Sequence, residues 1–253
     1  MGSSPEADQP GLPRITWKQA MAQGLDTYAR LRKKGLQPVG PPVAVTEFER
    51  REVKLFDPGK ALDLEQYAAR ASAWAVERLR SDAVILDTET TGVDVEHDRV
   101  VQVAVIDMRG RELLDTLVDP GVPIPPRASD IHGITDRDVA GRPVFAEILP
   151  RLTEALGRRP VVVYNSRFDG PLLRAEVARV HGAEHAEQWT RARPWKCAMT
   201  VYSWYRGQWN VERGDWRWHR LPNARHGALG DCRATLALLH EMAAGRADPD
   251  GGG

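Results

Sequence analysis

The sequence contains only two cysteines, Cys197 and Cys232, among 253 residues. Their separation does not match the paired spacing of a zinc site, and nothing else indicates export, so we expect two reduced thiols in the core. The N-terminus lacks the apolar run of a signal peptide, and no stretch is long enough to span a membrane. These absences exclude the disulfide-rich secreted and membrane classes and predict a cytoplasmic protein without a membrane partner.

The chain also lacks any net charge, so global electrostatics favours no particular partner. Its 42% hydrophobic and 28% charged residues are ordinary for a soluble protein. Locally the balance differs, because residues 189–225 carry eight Lys or Arg against two acids. This segment is a candidate surface for phosphate groups.

The two ends of the chain, residues 1–13 and 245–253, are small and polar and are predicted to be disordered tails. Residues 14–80 are predicted to form a helical N-terminal extension of unknown role. Within it, apolar residues spaced by three or four predict helices over 15–34 and 63–80, the second with Asp63 as its N-cap.

Residues 81–244 show a different pattern, in which strands come first and then alternate with helices. Short apolar runs predict strands over 83–88, 99–107, 112–118 and 161–164. Apolar periodicity predicts helices over 145–156, 170–181, 197–204 and 229–242. This order predicts an α/β domain, a mixed β-sheet flanked by helices.

Four acidic residues stand at the edges of these apolar elements: Asp87, Glu89, Asp169 and Asp231. Asp87 and Glu89 are two apart on a strand, so both side chains point to one face. Asp169 and Asp231 each lie near the start of a helix. Taken singly, Asp87 and Glu89 are better explained as polar residues at a solvated strand end, and Asp169 and Asp231 are also explained as helix caps.

His226 precedes Asp231 by five residues, and Gly227 and Gly230 argue against a regular helix between them. We therefore place His226 on a loop and Asp231 in the first helical turn beyond it. A loop histidine can take a proton from water near neutral pH. Considered alone, His226 is better explained as a surface histidine.

Together, the four acids predict a site for divalent cations. Two carboxylates about 5 Å apart repel by roughly 3 kcal/mol at an effective dielectric constant near 20, so four in one pocket need protons or cations. Hard oxygen ligands without a thiolate cluster favour Mg²⁺ or Mn²⁺ over zinc. A pair of such ions suits the cleavage of a phosphodiester.

Three motifs in this order resemble the DEDDh (DnaQ-like) 3′→5′ exonuclease superfamily, which includes the proofreading subunit of bacterial replicative polymerase, ribonuclease T and oligoribonuclease. They are Asp87-Thr88-Glu89-Thr90-Thr91-Gly92, Asn165-Ser166-Arg167-Phe168-Asp169, and the segment from His226 to Asp231. The sequence Ile131-His132-Gly133 resembles a further element of the family. Gly230 departs from the polar residue that many relatives have there.

The resemblance implies a ribonuclease-H-like fold over residues 81–244 and removal of nucleoside 5′-monophosphates, one at a time, from a single-stranded 3′ end of DNA or RNA. It implies that Asp87, Glu89, Asp169 and Asp231 bind two Mg²⁺ or Mn²⁺ ions and that His226 is the general base. It also implies that five residues lie beside the terminal nucleotide: Thr90, Ile131, His132, Asn165 and Phe168.

Residues 189–225 also hold six of the eight tryptophans. Large aromatic residues either pack in a core or stack on unpaired bases. We favour packing for Trp195 and Trp204, and base stacking for Trp216 and Trp218, which lie beside arginines.

Some alternatives stay open from sequence alone. Residues 14–80 fit a docking segment for a protein partner, a nucleic-acid arm around Arg30-Leu31-Arg32-Lys33-Lys34, or a structural brace. The whole chain also fits a non-catalytic binding module on a nuclease scaffold, or a nuclease specific for RNA or very short oligoribonucleotides.

Overall fold

The structure is a computed structural model that describes residues 11–210 and 212–245. Most of both predicted tails, residues 1–10 and 246–253, therefore lies outside the described residues. The chain divides into two compact units, one of Met1–Tyr67 with Gly207–Arg217, the other of Ala68–Arg206 with Trp218–Gly253. Within the described ranges, no helix combines the length and the apolar character needed to cross a membrane.

The helices and strands are numbered here along the chain. The helices are α1 Trp17–Ala22, α2 Tyr28–Lys33, α3 Leu64–Arg80, α4 Pro126–His132, α5 Asp136–Val139, α6 Phe145–Leu156, α7 Asp169–His181, α8 Ala183–Arg191, α9 Ala198–Arg206 and α10 Ala228–Ala244. The strands are β1 Asp26–Thr27, β2 Leu36–Gln37, β3 Ala44–Phe48, β4 Arg51–Phe56, β5 Leu62–Asp63, β6 Val84–Thr90, β7 Val100–Asp107, β8 Glu112–Leu117, β9 Val161–Val163, β10 Trp195–Cys197, β11 Trp209–Asn210 and β12 Asp215–Trp216.

The first unit contains short helices and small antiparallel sheets, ordered β1-β4-β3, β2-β5 and β11-β12. The single helix predicted over residues 15–34 is wrong, because two short helices stand there. Gly24 adopts a left-handed conformation with φ 70° that ends the first. Thr27 then starts the second by accepting a hydrogen bond from the Arg30 N–H at its hydroxyl.

The basic run at the end of α2 is largely engaged within its own unit. Asp26 is 1% exposed, and its carboxylate pairs with Arg30 at 2.9 Å and with Lys34 at 2.8 Å. Arg32 donates a hydrogen bond to Gln37. These contacts favour a bracing role for most of these cations over an arm that is free to bind nucleic acid.

The second unit is built around a mixed sheet with the strand order β10-β9-β6-β7-β8. Strands β6, β7 and β8 are antiparallel neighbours, whereas β9 runs parallel to β6 and β10 runs parallel to β9. The predicted mixed sheet flanked by helices is therefore confirmed. Strand β10 was not predicted, and the helix placed over 197–204 begins one residue after that strand ends.

Helices cover both faces of this sheet, and the alternation of the strand side chains decides which residues face which layer. Ile85 and Ile106 pack with buried residues of α3, α9 and α10. Val84, Leu86 and Val105 face the other way, toward α6, α7 and α8. The helix predicted over 63–80 is present as α3, and Asp63 caps it by accepting hydrogen bonds from two backbone N–H groups.

Candidate active site

Two carboxylates come from the central strand β6. Asp87 and Glu89 follow Ile85 at intervals of two, so they share the face of the sheet that α10 covers. Their neighbours toward the start of the strand are fully buried, and the exposed fraction of Glu89 is 9%. The strand thus delivers a pair of acids to the edge of the core, where an unpaired charge is costly.

The other two carboxylates come from the first turns of two helices. Asp231 in α10 is 8% exposed and accepts a hydrogen bond from the Arg225 N–H at 2.8 Å. Asp169 begins α7, is 4% exposed, and accepts a hydrogen bond from the Thr88 hydroxyl at 2.9 Å. Helix starts favour carboxylates, because free N–H groups point outward there.

The fold brings these acids together. Carboxylate oxygens of Asp87, Glu89 and Asp231 all lie within 4.8 Å of one another. Asp169 joins them in the lining of one cleft of about 820 Å³. None of the four forms an ion pair with a basic residue of the described chain. They are therefore clustered without a compensating cationic side chain.

This crowding raises the pKa of three of the carboxyl groups. Burial, together with the charges of Asp169, Glu89 and Asp231, raises the pKa of Asp87 well above its usual range. Burial and the charges of Asp231 and Asp169 raise the pKa of Glu89 to about 7. Burial also raises the pKa of Asp169 to about 7, although the hydrogen bond from Thr88 opposes it.

The residues present fit a site for divalent cations. All the donors are carboxylate oxygens, the ligands that Mg²⁺ and Mn²⁺ prefer. The raised pKa values mean that full ionisation of the cluster near neutral pH requires added positive charge.

The metal-free protein is expected to lose stability as the pH rises from 4.5, the ordinary pKa of Glu89, to about 7. In this window Glu89 ionises in the unfolded chain but keeps its proton in the folded chain. Its contribution to the free energy of unfolding is therefore fully present below pH 4.5 and is lost by about pH 7. The shift corresponds to about 3 kcal/mol. Urea denaturation with a chelator across this range measures it.

The control for this prediction is Glu89→Gln, whose amide does not titrate. Its unfolding free energy is expected to vary less with pH than that of the wild type, and added Mn²⁺ is expected to stabilise the wild type more at pH 8 than at pH 5. Parallel curves for the two proteins across the window would show that Glu89 has no raised pKa.

His226 lies on the loop before α10, as the sequence predicted. It is exposed, lines the same cleft as the acids, and has a left-handed backbone with φ 53°. Histidine is among the residues that adopt this conformation more often than most. The imidazole ring is therefore accessible to solvent at the mouth of the acidic cleft.

The residues expected beside a terminal nucleotide fall into two groups. Ile131, Asn165 and Phe168 line the cleft, and Ile131 is 55% exposed. Thr90 and His132 are not among the lining residues. His132 donates from Nε2 to the Thr90 carbonyl at 3.2 Å and accepts the Ile134 N–H at Nδ1, so it ties the segment of Ile131 to the end of β6.

Several residues of the cleft were not predicted from the sequence. Besides the predicted residues and Thr88, the lining includes Asp130, Tyr164, Arg220, Leu221, Asn223 and Ala224. Most of them belong to the segment before α10, which has no regular periodicity. Arg220 brings a cation to the rim of an otherwise acidic cleft.

Gln102 is a further residue that the sequence analysis missed. It lies on β7 opposite Glu89, donates from Nε2 to Asp115 at 2.8 Å, and accepts the N–H of Ala228, the first residue of α10, at 3.1 Å. Asp115 and Gln102 thus hold the start of the helix that carries Asp231. The available signal was one polar residue inside a valine-rich strand.

The tryptophans divide mainly as packing residues. Trp189 is buried beside Trp195, and Trp204 packs against the core. Packing was the role favoured for Trp195 and Trp204. The stacking role expected for Trp216 is wrong, because the β11-β12 hairpin turns this side chain against Tyr67 and Trp209 and leaves it 9% exposed. Trp218 remains 45% exposed.

Residues 84–239 match the RNase_T family model, described as "Exonuclease". The chain is 34% identical over 191 residues to "Uncharacterized exonuclease CP81" of Escherichia phage 186, covering 70% of this chain and 94% of that protein. It is 28% identical over 171 residues to DNA polymerase III subunit epsilon of Treponema pallidum, covering 65% and 78%.

Other relatives are much longer than this chain. It spans 7% of the PolC-type DNA polymerase III of Clostridium perfringens, to which it is 32% identical over 96 residues, or 37% of this chain. Among solved structures, exonuclease I from Methylocaldum szegediense is 26% identical with a TM-score of 0.50, and the match covers 63% of this chain and 40% of that enzyme.

Proposed function

The chain belongs to the RNase T exonuclease family of the DEDDh (DnaQ-like) superfamily, and from this premise we propose that it is a metal-dependent 3′→5′ exonuclease. It removes nucleoside 5′-monophosphates, one at a time, from single-stranded 3′ ends. The observation that carries the proposal is the convergence in one cleft of four carboxylates that form no ion pair with the described residues, with an exposed histidine in the lining of the same cleft.

Asp87, Glu89, Asp169 and Asp231 would hold two Mg²⁺ or Mn²⁺ ions. When bound, such ions make water a better nucleophile and offset the negative charge on the leaving oxygen. The hydrogen bonds from Thr88 to Asp169 and from the Arg225 N–H to Asp231 orient two of the ligands. The protein therefore supplies a rigid set of oxygen donors on one strand and two helix starts.

His226 is the proposed general base. It accepts the proton of the attacking water while the water oxygen forms a bond to phosphorus and the bond to the 3′ oxygen of the preceding nucleotide breaks. The exposed position of the ring at the cleft mouth gives it access to water. Ile131, Asn165 and Phe168 are proposed to contact the terminal nucleotide from the cleft lining. Thr90 and His132 are proposed to hold the segment of Ile131 in place through the hydrogen bond between them.

The polarity is tested with a single-stranded oligonucleotide labelled at its 5′ end, incubated with Mg²⁺ or Mn²⁺. A 3′→5′ exonuclease leaves a ladder of shortened strands that keep the label and releases 5′-monophosphates. Immediate appearance of a labelled mononucleotide, or internal cleavage, would contradict the proposal. Relatives named as DNA polymerase III subunits make DNA the first substrate to test.

Matched RNA and very short oligoribonucleotides belong in the same assay, since the proposed chemistry is common to both sugars. Faster cleavage of either would identify an RNA-directed enzyme. A protein that binds strands but cleaves none of them would instead be the non-catalytic module.

We further propose that residues 81–244 form the catalytic domain and that residues 14–80 are an extension that docks a protein partner. The extension is well supplied with exposed apolar side chains, among them Phe48 at 61% exposure and Met21 at 43%.

Gln102→Ala is expected to lower kcat about tenfold with little change in KM, because α10 loses the acceptor that holds its first N–H. The paired variant Gln102→Glu with Asp115→Asn reverses donor and acceptor and is expected to recover most of the rate. Gln102→Glu alone sets two carboxylates together and is expected to be slow. Equal rates for Gln102→Ala and the wild type would remove this positioning role.

A further inference from the structure

Trp218 is a large aromatic residue that keeps 45% of its surface exposed beside the active-site cleft. It lies two residues before Arg220, which lines the cleft. The guanidinium carbon of Arg167 lies 5.1 Å from the centroid of its ring. The pair thus combines a cation over the ring with aromatic surface that solvent can reach.

Both members of this pair lie close in sequence to residues of the cleft. Next to Trp218, the carbonyl of His219 accepts a hydrogen bond from the Tyr164 hydroxyl at 2.7 Å, and Tyr164 is part of the cleft lining. Arg167 lies between Asn165 and Asp169, two further lining residues. The chain next to each member of the pair therefore leads into the lining of the cleft.

Charge and shape together indicate which kind of molecule this surface fits. Arg167 and Arg220 are exposed cations next to a planar aromatic side chain. Arginine with aromatic rings is the combination that binds single-stranded nucleic acid, since every base has a face to stack and every nucleotide a phosphate. In a duplex both faces of a base are already covered by its neighbours.

We propose that Trp218, backed by Arg167, is a stacking platform for an unpaired base of the strand that enters the cleft, and that it makes the enzyme select single-stranded 3′ ends. The inference rests on the proposed nuclease function. It assigns a base-binding site outside the acidic cleft and names an unpaired nucleotide as its ligand.

The test measures binding separately from hydrolysis. In the full chain carrying Asp87→Asn, the affinity for a fluorescein-labelled single-stranded oligonucleotide is read by anisotropy. Trp218→Ala is expected to weaken binding about tenfold to a hundredfold, as loss of one stacked base does, whereas Trp218→Phe keeps most of it. Arg167→Ala is expected to weaken binding less than Trp218→Ala does. Unchanged binding in Trp218→Ala would overturn the proposal.

The matched control is Arg70→Ala. Arg70 also lies over a tryptophan, Trp204, at 5.7 Å, but neither residue lines the cleft. This variant is expected to bind the oligonucleotide like the parent. A loss equal to that in Arg167→Ala would mean that removing any such cation disturbs binding, and it would overturn the assignment.

An abasic series identifies the stacked base. Oligonucleotides with one abasic site at successive positions from the 3′ end are compared in the parent and in Trp218→Ala. At one position, the loss of affinity caused by the abasic site and the loss caused by Trp218→Ala are expected not to add, because both changes remove the same contact. Losses that add at every position would show that no base stacks on Trp218.

Failure of the nuclease proposal is distinguishable from failure of this one. If the wild type cleaves no strand but its binding depends on Trp218, the stacking proposal stands and the nuclease proposal is wrong. If the wild type degrades 3′ ends and Trp218→Ala has the same KM for single strands, the nuclease proposal stands and the stacking proposal is wrong.

Discussion

Asp87→Ala and Asp87→Asn are expected to abolish hydrolysis of oligonucleotides. Asp87 shares the site with Glu89 and Asp231 within 4.8 Å, so its loss removes an oxygen donor from the centre of the proposed metal site. The asparagine variant keeps the shape of the side chain and removes only the charge. Release of mononucleotides measures activity, and calorimetric titration with Mn²⁺ is expected to show weakened binding.

The metal-free Asp87→Asn protein is expected to be more stable than the metal-free wild type above neutral pH, because one of the mutually repelling carboxylates is gone. Thermal denaturation with a chelator checks this second effect and also shows that an inactive variant is folded. Asp82→Asn, an exposed aspartate just before β6, is the matched control and is expected to behave as the wild type. Undiminished turnover by Asp87→Asn would defeat the active-site assignment.

His226→Ala is expected to lower kcat by about a hundredfold to ten-thousandfold, the usual contribution of a general base. Affinities for Mn²⁺ and for the oligonucleotide are expected to stay close to those of the wild type, since the exposed ring belongs to neither the carboxylate set nor the core. Single-turnover kinetics and anisotropy separate the two quantities.

His240→Ala supplies the control for this experiment, because His240 is an exposed histidine on α10 outside the cleft lining. It is expected to cleave at the wild-type rate. If His226→Ala is as fast as the wild type, water loses its proton to another group, and the general-base role is removed.

The central fold was predictable because its elements are long or strongly periodic. Helix α6 was predicted with its observed bounds, since four leucine and isoleucine residues mark one face and all become buried. Strands β6 and β7 read as apolar runs because helices cover both of their faces. The motif residues of the candidate site follow from these elements, since strand ends and helix starts fix where side chains point.

What could not be predicted depends on contacts distant in sequence. Strand β10 has three residues and exists because it pairs with β9, which no local pattern reveals. Residues 46–56 alternate only poorly between apolar and polar side chains, so the sequence predicts no element there, yet they belong to the β3-β4 hairpin of a unit with a small core. Trp216 and Trp218 both lie beside arginines in the sequence. They differ only in the folded chain, where the β11-β12 hairpin buries Trp216.

The acids of the candidate site come from three separated segments, β6, α7 and α10. During synthesis the ribosome releases β6 and α7 well before the helix that carries Asp231. A copy that lacks the chain from His226 onward therefore has neither the proposed general base nor the carboxylate of Asp231. Hydrolytic activity is therefore expected only in chains whose synthesis has passed α10, because that helix supplies the last of the four carboxylates.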